Sequence, residues 1–345
     1  MRKKGELKKV FKREIIFVKT PLTGFYRYKD LFQIFPANLI DMPKSKGARH
    51  YPVILEYWYT AEELDAVNVG NELEGLEDLV KLTSVSYNKT EHIISLFSII
   101  TTNLFFKYNS RDSRWGFPIV KEPTEGEANF WSSKWCLEWF HWPGLPDQLI
   151  ISNFTQLDSN PAANVDWKKC FFYNPNYDWF DDKEISFPNI TDYFLDCYFK
   201  KDLATRKTID SAIASSNAAM EFMHTRKKIS LLSAFTAIET MVNLENNKFK
   251  STKCESCGQE IFKVSAKYRD FLLKYIGDSK ENKKKFSTYY SLRSKVVHTG
   301  QDFKTEKLFS DVDNEVQQKE QLELAEIVVL SKIAIIMWTI KTSEL

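Results

Sequence analysis

The chain has 345 residues, 43% hydrophobic and 27% charged, with a formal charge of +2. Those fractions exclude a disordered chain, and near-neutrality excludes a protein whose overall field draws it to nucleic acid or to an acidic surface. The length suits two domains, each with its own core.

Positive charge is local. It sits in Arg2-Lys3-Lys4 with Lys8, Lys9, Lys12 and Arg13, and in the triplet Lys283-Lys284-Lys285. The bland reading of each run is a solvated face; the sharper one is a phosphate contact. No apolar leader follows the basic amino terminus. The two most apolar runs, Ile94–Phe106 and Ile327–Ile340, fall short of the roughly 20 residues of a membrane span. Five irregularly spaced cysteines point to reduced thiols. The expectation is a cytoplasmic protein with no membrane partner.

The first 200 residues read as a mixed α+β domain. Glu14–Val18, Pro52–Trp58 and Leu149–Ile151 have the β-branched and aromatic content of strands. Leu82–Tyr87 alternates weakly and reads as a further candidate strand. A helix is predicted over Ile93–Tyr108, with Thr90 or Asn88 as its cap. Loops are predicted at Asn160-Pro161, Asn174-Pro175-Asn176 and Pro188-Asn189. The aromatic run from Phe130 to Trp142 reads as core or interface, with base stacking or a ligand pocket as the alternative. Asp181, Asp182 and Glu184 read as solvated loop acids, and His141 has no partner near it in sequence. Nucleotide hydrolysis has no Gly-rich phosphate loop to support it.

From Asp202 onward there is no proline, which favours uninterrupted helices. Ile209, Ile213, Ser216, Met220 and Met223 form one apolar stripe, and Leu231, Phe235, Ile238 and Val242 a second. Further helices are predicted over Ser265–Ile276 before Gly277, over Glu281–His298 before Gly300, and over Glu320–Ile340. Five helices with short connections predict an all-α antiparallel bundle over 201–345.

Tyr290-Ser291-Leu292-Arg293-Ser294-Lys295-Val296-Val297-His298-Thr299-Gly300 carries the chemistry. Five positions on a helix rotate by about 140°, so Arg293 and His298 converge only if the last turn loosens before Gly300. A histidine titrates near working pH and can take a 2′-hydroxyl proton. An arginine stays charged and its fork matches phosphate oxygens. The spacing alone is weak, because a helix-end histidine also bonds backbone carbonyls.

Two blocks sharpen this. Leu231-Leu232-Ser233-Ala234-Phe235-Thr236-Ala237-Ile238-Glu239-Thr240-Met241 and the Tyr290–Gly300 segment resemble the HEPN family (higher eukaryotes and prokaryotes nucleotide-binding). The likeness is to its Apea-like subgroup of bacterial anti-phage abortive-infection proteins and covers about residues 205–340. It implies a helical bundle that cuts RNA without metal, with Arg293, His298 and Ser294 at the catalytic site. Tyr290 and Glu239 would support them, and Lys295 with Lys283, Lys284 and Lys285 would contact the RNA. It implies a homodimer whose Arg–His pairs line one cleft, and a phage-derived trigger. The competing expectation is an inert dimerisation or nucleotide-binding module in a ligand-sensing protein.

Cys254-Glu255-Ser256-Cys257-Gly258 is half a zinc knuckle. A structural zinc needs four ligands, which Cys254 and Cys257 could supply only with the same pair of a second copy; the bland expectation is a loop with reduced thiols and no cofactor.

Overall fold

A computed structural model describes residues 9–37, 51–68, 75–107, 115–116, 138–139, 149–157, 161–172, 184–246, 252–253, 260–261, 264–300, 303–306 and 313–343. They fall into two compact units. The first lies within Met1–Phe97, Phe105–Asn164 and Asp178–Phe187; the second lies within Ser98–Leu104, Val165–Tyr177 and Pro188–Leu345. The second unit thus combines two short upstream segments with the continuous stretch from Pro188 onward, where the sequence pattern suggests a single break near residue 200.

The first unit is built on a four-stranded antiparallel sheet in the order β1-β4-β3-β2. Its strands are β1 (Lys9–Val18), β2 (Tyr26–Tyr28), β3 (Phe32–Pro36) and β4 (Tyr51–Thr60). β4 is central, pairing Ile54 with Ile15 on one side and Leu55 with Ile34 on the other. Its near-continuous burial follows from Val53, Ile54, Leu55 and Tyr57, each at most 1% exposed. Thr60 then caps the short α1 (Ala61–Asp65) in a capping box with Glu63.

Four sequence expectations fail in these segments. Leu82–Tyr87 is not a strand; it lies within α2 (Glu77–Thr101). Its weak alternation is one side of a helix: Val85 and Ser86 are buried, while Leu82 and Tyr87 face out. Thr90, expected as a cap, is an interior helix residue whose hydroxyl lies 3.0 Å from the Tyr57 hydroxyl. The helix ends at Thr101, before Tyr108, because Thr102 takes a left-handed φ of 59°. Phe106 instead makes an antiparallel bridge to Phe17. Residues 149–151 are irregular rather than extended, and Ile150 is 79% exposed.

The second unit is helical: α3 (Trp167–Phe172), α4 (Thr191–Lys200), α5 (Leu203–Phe222), α6 (Lys227–Asn246), α7 (Val264–Tyr275), α8 (Lys280–Thr299) and α9 (Asn314–Lys341). Both predicted stripes are core, since all nine side chains are buried. α9 begins earlier than expected, capped by Asp313. From Ile327 to Ile336 every residue of α9 is buried, so its apolar content runs round the whole helix. A hydroxyl pair, Ser216 and Ser331 at 2.7 Å, ties α5 to α9. α4 joins this core through Phe194, Leu195, Cys197 and Tyr198. Among the described residues no helix is long and apolar enough to cross a membrane.

Candidate active site

α8 places the residues singled out from the sequence. Ser279 caps its start by accepting from the Asn282 amide at 3.0 Å. Gly300 ends it at a φ of 65°, a conformation that favours glycine. The Lys228 ammonium donates to the Gly300 carbonyl at 3.2 Å, opposite the negative pole of the helix.

The helix is regular through His298 to Thr299. The loosened last turn expected from the sequence is absent, so Arg293 and His298 stand about 140° apart round the axis. That corrects the expected convergence within one protomer. The buried side of α8 carries Phe286, Tyr289 and Val296, and Arg293 leans to this side with 24% of its side chain exposed. Its Nη2 donates to Glu239 Oε2 at 3.2 Å, and its guanidinium lies 5.9 Å from the centre of the Tyr290 ring. Tyr290 in turn packs on Tyr268 at 5.2 Å and edge-on to Phe235 at 6.5 Å. Three of the expected residues, Glu239, Tyr290 and Arg293, therefore meet at one place.

His298 lies on the opposite, solvent-facing side. Lys284, Thr288, Ser291, Lys295 and His298 are all exposed and follow one another by four, three, four and three residues. That spacing lines them along one helix face, with about 16 Å from Lys284 to Lys295 at 1.5 Å per residue. α8 as a whole carries six Lys or Arg, namely Lys280, Lys283, Lys284, Lys285, Arg293 and Lys295, against the single acid Glu281. Lys283 is exposed too, but Lys285 is committed to Glu326 at 2.6 Å. Ser294 is half-buried beside Arg293.

Tyr289 also donates to Glu326, and burial followed by that bond pushes its hydroxyl pKa well up. Tyr268 was not singled out from the sequence. Its ring is fully buried and stacked on Phe235 at 5.3 Å, and its hydroxyl has no hydrogen-bond partner. Glu239 Oε1 is likewise buried and unpartnered. Burial first, then the charge of Glu239, hold Tyr268 well above the ordinary tyrosine range. Sequence offers no signal for this: Tyr268 sits in an ordinary apolar stripe with Phe271, Leu272 and Tyr275.

Cys254 and Cys257 lie outside the described residues, between the paired strands β9 (Thr252–Lys253) and β10 (Glu260–Ile261), numbered after the short pairs Trp115–Gly116 (β5) with Glu138–Trp139 (β6) and Ala163–Val165 (β7) with Ser186–Pro188 (β8). Asp181, Asp182, His141 and most of the Phe130–Trp142 run also lie outside them. In the first unit an open cavity of about 360 Å³ is lined by Lys12, Glu14, Tyr59, Leu82, Ser86 and Lys107, among others. No family model matches this chain, and neither a curated protein nor a solved structure matches it significantly.

Proposed function

We propose that the helical unit cleaves phosphodiesters without a metal ion, an imidazole moving the proton and a guanidinium carrying the phosphate charge. Within that class we read it as an endoribonuclease of HEPN type, with the first unit sensing or regulating. The observation that carries this is the exposed His298 on a lysine-bearing face of the helix that also holds Arg293 beside Glu239.

The chemistry follows from the side chains. Neutral His298 takes the 2′-hydroxyl proton, and O2′ attacks the adjacent phosphorus. The bond to the 5′-oxygen breaks, that oxygen takes a proton from an imidazolium or from water, and the products are a 2′,3′-cyclic phosphate and a 5′-hydroxyl. Arg293 carries the charge that develops on the non-bridging oxygens. Lys284 and Lys295 hold the backbone electrostatically, without reading bases. Since Arg293 and His298 of one chain face apart, a working site takes its histidine from one protomer and its arginine from another, and the active form is a homodimer. Resemblance supports the biology: a toxin or anti-phage abortive-infection effector acting on host or phage RNA after a phage-derived trigger.

Mixing tests this. Arg293→Ala and His298→Ala are each expected to be inactive alone, and their mixture to regain cleavage through heterodimers with one intact site. Two active variants would remove the assignment, and an inactive mixture would remove the shared site.

A second reading has its own support. Arg293 already has a carboxylate partner, as a purely structural arginine would. In that reading the bundle is an inert dimerisation or nucleotide-binding module; Arg293→Ala loses stability and His298→Ala changes nothing measurable.

A further inference from the structure

The buried tyrosines of the helical unit follow a pattern with one exception. Tyr198 donates its hydroxyl to Asp210, Tyr275 to Glu245 at 3.0 Å and Tyr289 to Glu326. Tyr268 is the most deeply buried of them, at 0% exposure against 1% for Tyr198, yet its hydroxyl donates to nothing. A carboxylate belongs to the same cluster: Glu239 binds Arg293, Arg293 lies over the Tyr290 ring, and Tyr290 packs on Tyr268. That carboxylate is given to Arg293 instead, through one 3.2 Å bond rather than a two-bond fork, and its other oxygen is buried and idle.

A buried hydroxyl without a partner is destabilising. A phenylalanine at 268 would make the same ring contacts with Phe235 and Tyr290 without that cost. The hydroxyl therefore has a use in a state where Arg293 is elsewhere. Such a state follows from the chemistry of the site. If Arg293 turns to a phosphate, Glu239 is left as an uncompensated, largely buried carboxylate, which is strongly unfavourable. A protonated phenol alongside is the donor that removes the penalty.

We propose that Tyr268 is a positioning residue and the alternative partner of Glu239: its hydroxyl donates to the Glu239 carboxylate when Arg293 leaves to bind a phosphodiester. Glu239 is then handed between a guanidinium and a phenol, so that releasing the arginine costs little and its return is guided. The proposal rests on the reading that Arg293 engages phosphate, but its structural half is measurable without any RNA.

The experiment is a thermal-unfolding cycle on the full chain, with Arg293→Met removing the cation while keeping the side-chain stem. In the presence of Arg293, Tyr268→Phe is expected to leave Tm unchanged or raise it. In the Arg293→Met background the same change is expected to lower Tm by about 3 °C or more, at roughly 2–4 °C per kcal/mol for a unit of this size. With Glu239→Gln added to Arg293→Met, that loss is expected to shrink by more than half. An equal shift in all three backgrounds overturns the proposal, because the hydroxyl then takes no notice of Glu239. A second arm uses RNA: Tyr268→Phe is expected to lower kcat several-fold with KM held. An unchanged kcat in an active enzyme overturns the positioning role. If the wild type cuts no RNA, the nuclease reading falls while the unfolding cycle still decides whether Tyr268 and Arg293 share Glu239.

Discussion

Glu56 is the firmest test of how the first unit is held together. It is a fully buried carboxylate in the central strand β4. Its Oε1 accepts from Arg13 Nε at 2.8 Å, Arg13 Nη2 at 2.6 Å and the Thr155 hydroxyl at 2.6 Å. Its Oε2 accepts from Gln33 Nε2 at 2.7 Å and the Thr155 amide at 2.8 Å. Glu56→Gln keeps the shape but turns one end into a donor. At the Oε1 end the new amide faces the guanidinium; at the Oε2 end it faces the Thr155 N–H, which cannot be turned round. Either way donors meet donors, and Arg13, only 14% exposed, loses its countercharge. Breaking a buried pair costs about 3–5 kcal/mol, and the partial exposure of Arg13 places this one near ~3. At 1.4 kcal/mol per factor of ten, amide exchange of β1 and β4 through unfolding is expected to speed up by roughly 100-fold. Hydrogen exchange read by mass spectrometry on peptides from those strands measures it. Acceleration below about threefold would refute the reasoning.

Three further outcomes are expected. Gly300→Ala adds a Cβ that meets nothing within 4 Å at a φ of +65°, so backbone strain alone costs about 1 kcal/mol and lowers Tm by ~2–4 °C; cleavage persists, and a much larger loss in calorimetry would show a packing role. Burial pushes Glu245 up, but donation from Lys274, Trp338 and Tyr275 outweighs it and leaves the carboxyl below its ordinary 4.5. The same balance, set by Thr305 and two backbone amides, lowers Glu320. A depressed folded pKa gives stability that is present above 4.5 and lost as pH falls through the folded value. Urea midpoints are thus expected to drop below pH 4.5, with a flatter acid limb in Glu245→Gln; an unchanged limb would contradict this. Finally, Lys284→Ala and Lys295→Ala, in a His298→Ala background, are each expected to flatten the salt dependence of RNA binding by about 0.7–0.9 in the log–log slope. Slopes equal to that of the parent would move the RNA elsewhere.

How far the sequence revealed this depends on where each signal lies. α8 was legible to within a residue at each end, because a glycine with positive φ stops a proline-free run. The core stripes of α5 and α6 were legible for the same local reason, their 3.6-residue period. Leu82–Tyr87 misled because a short helical segment with two exposed apolar residues imitates alternation. Residues 149–151 misled because three apolar residues promise a strand only if a partner edge exists. α4 was missed as part of the bundle because its Phe194, Leu195 and Tyr198 share the aromatic texture of the preceding residues. At the site, the angle between Arg293 and His298 was legible but the loosening invoked to close it was not real. Tyr268 and its idle hydroxyl were invisible, because they acquire meaning only where α6, α7 and α8 meet.

Under the proposed function, Arg293 and His298 cut RNA with no metal. The most direct measurement is cleavage of RNA in EDTA by the wild type, Arg293→Ala and His298→Ala, with the product ends analysed. The expected result is cleavage by the wild type in chelator, ends carrying 2′,3′-cyclic phosphate and 5′-hydroxyl, and loss of both in either variant. Cleavage that both variants retain, or that chelator abolishes, would contradict it.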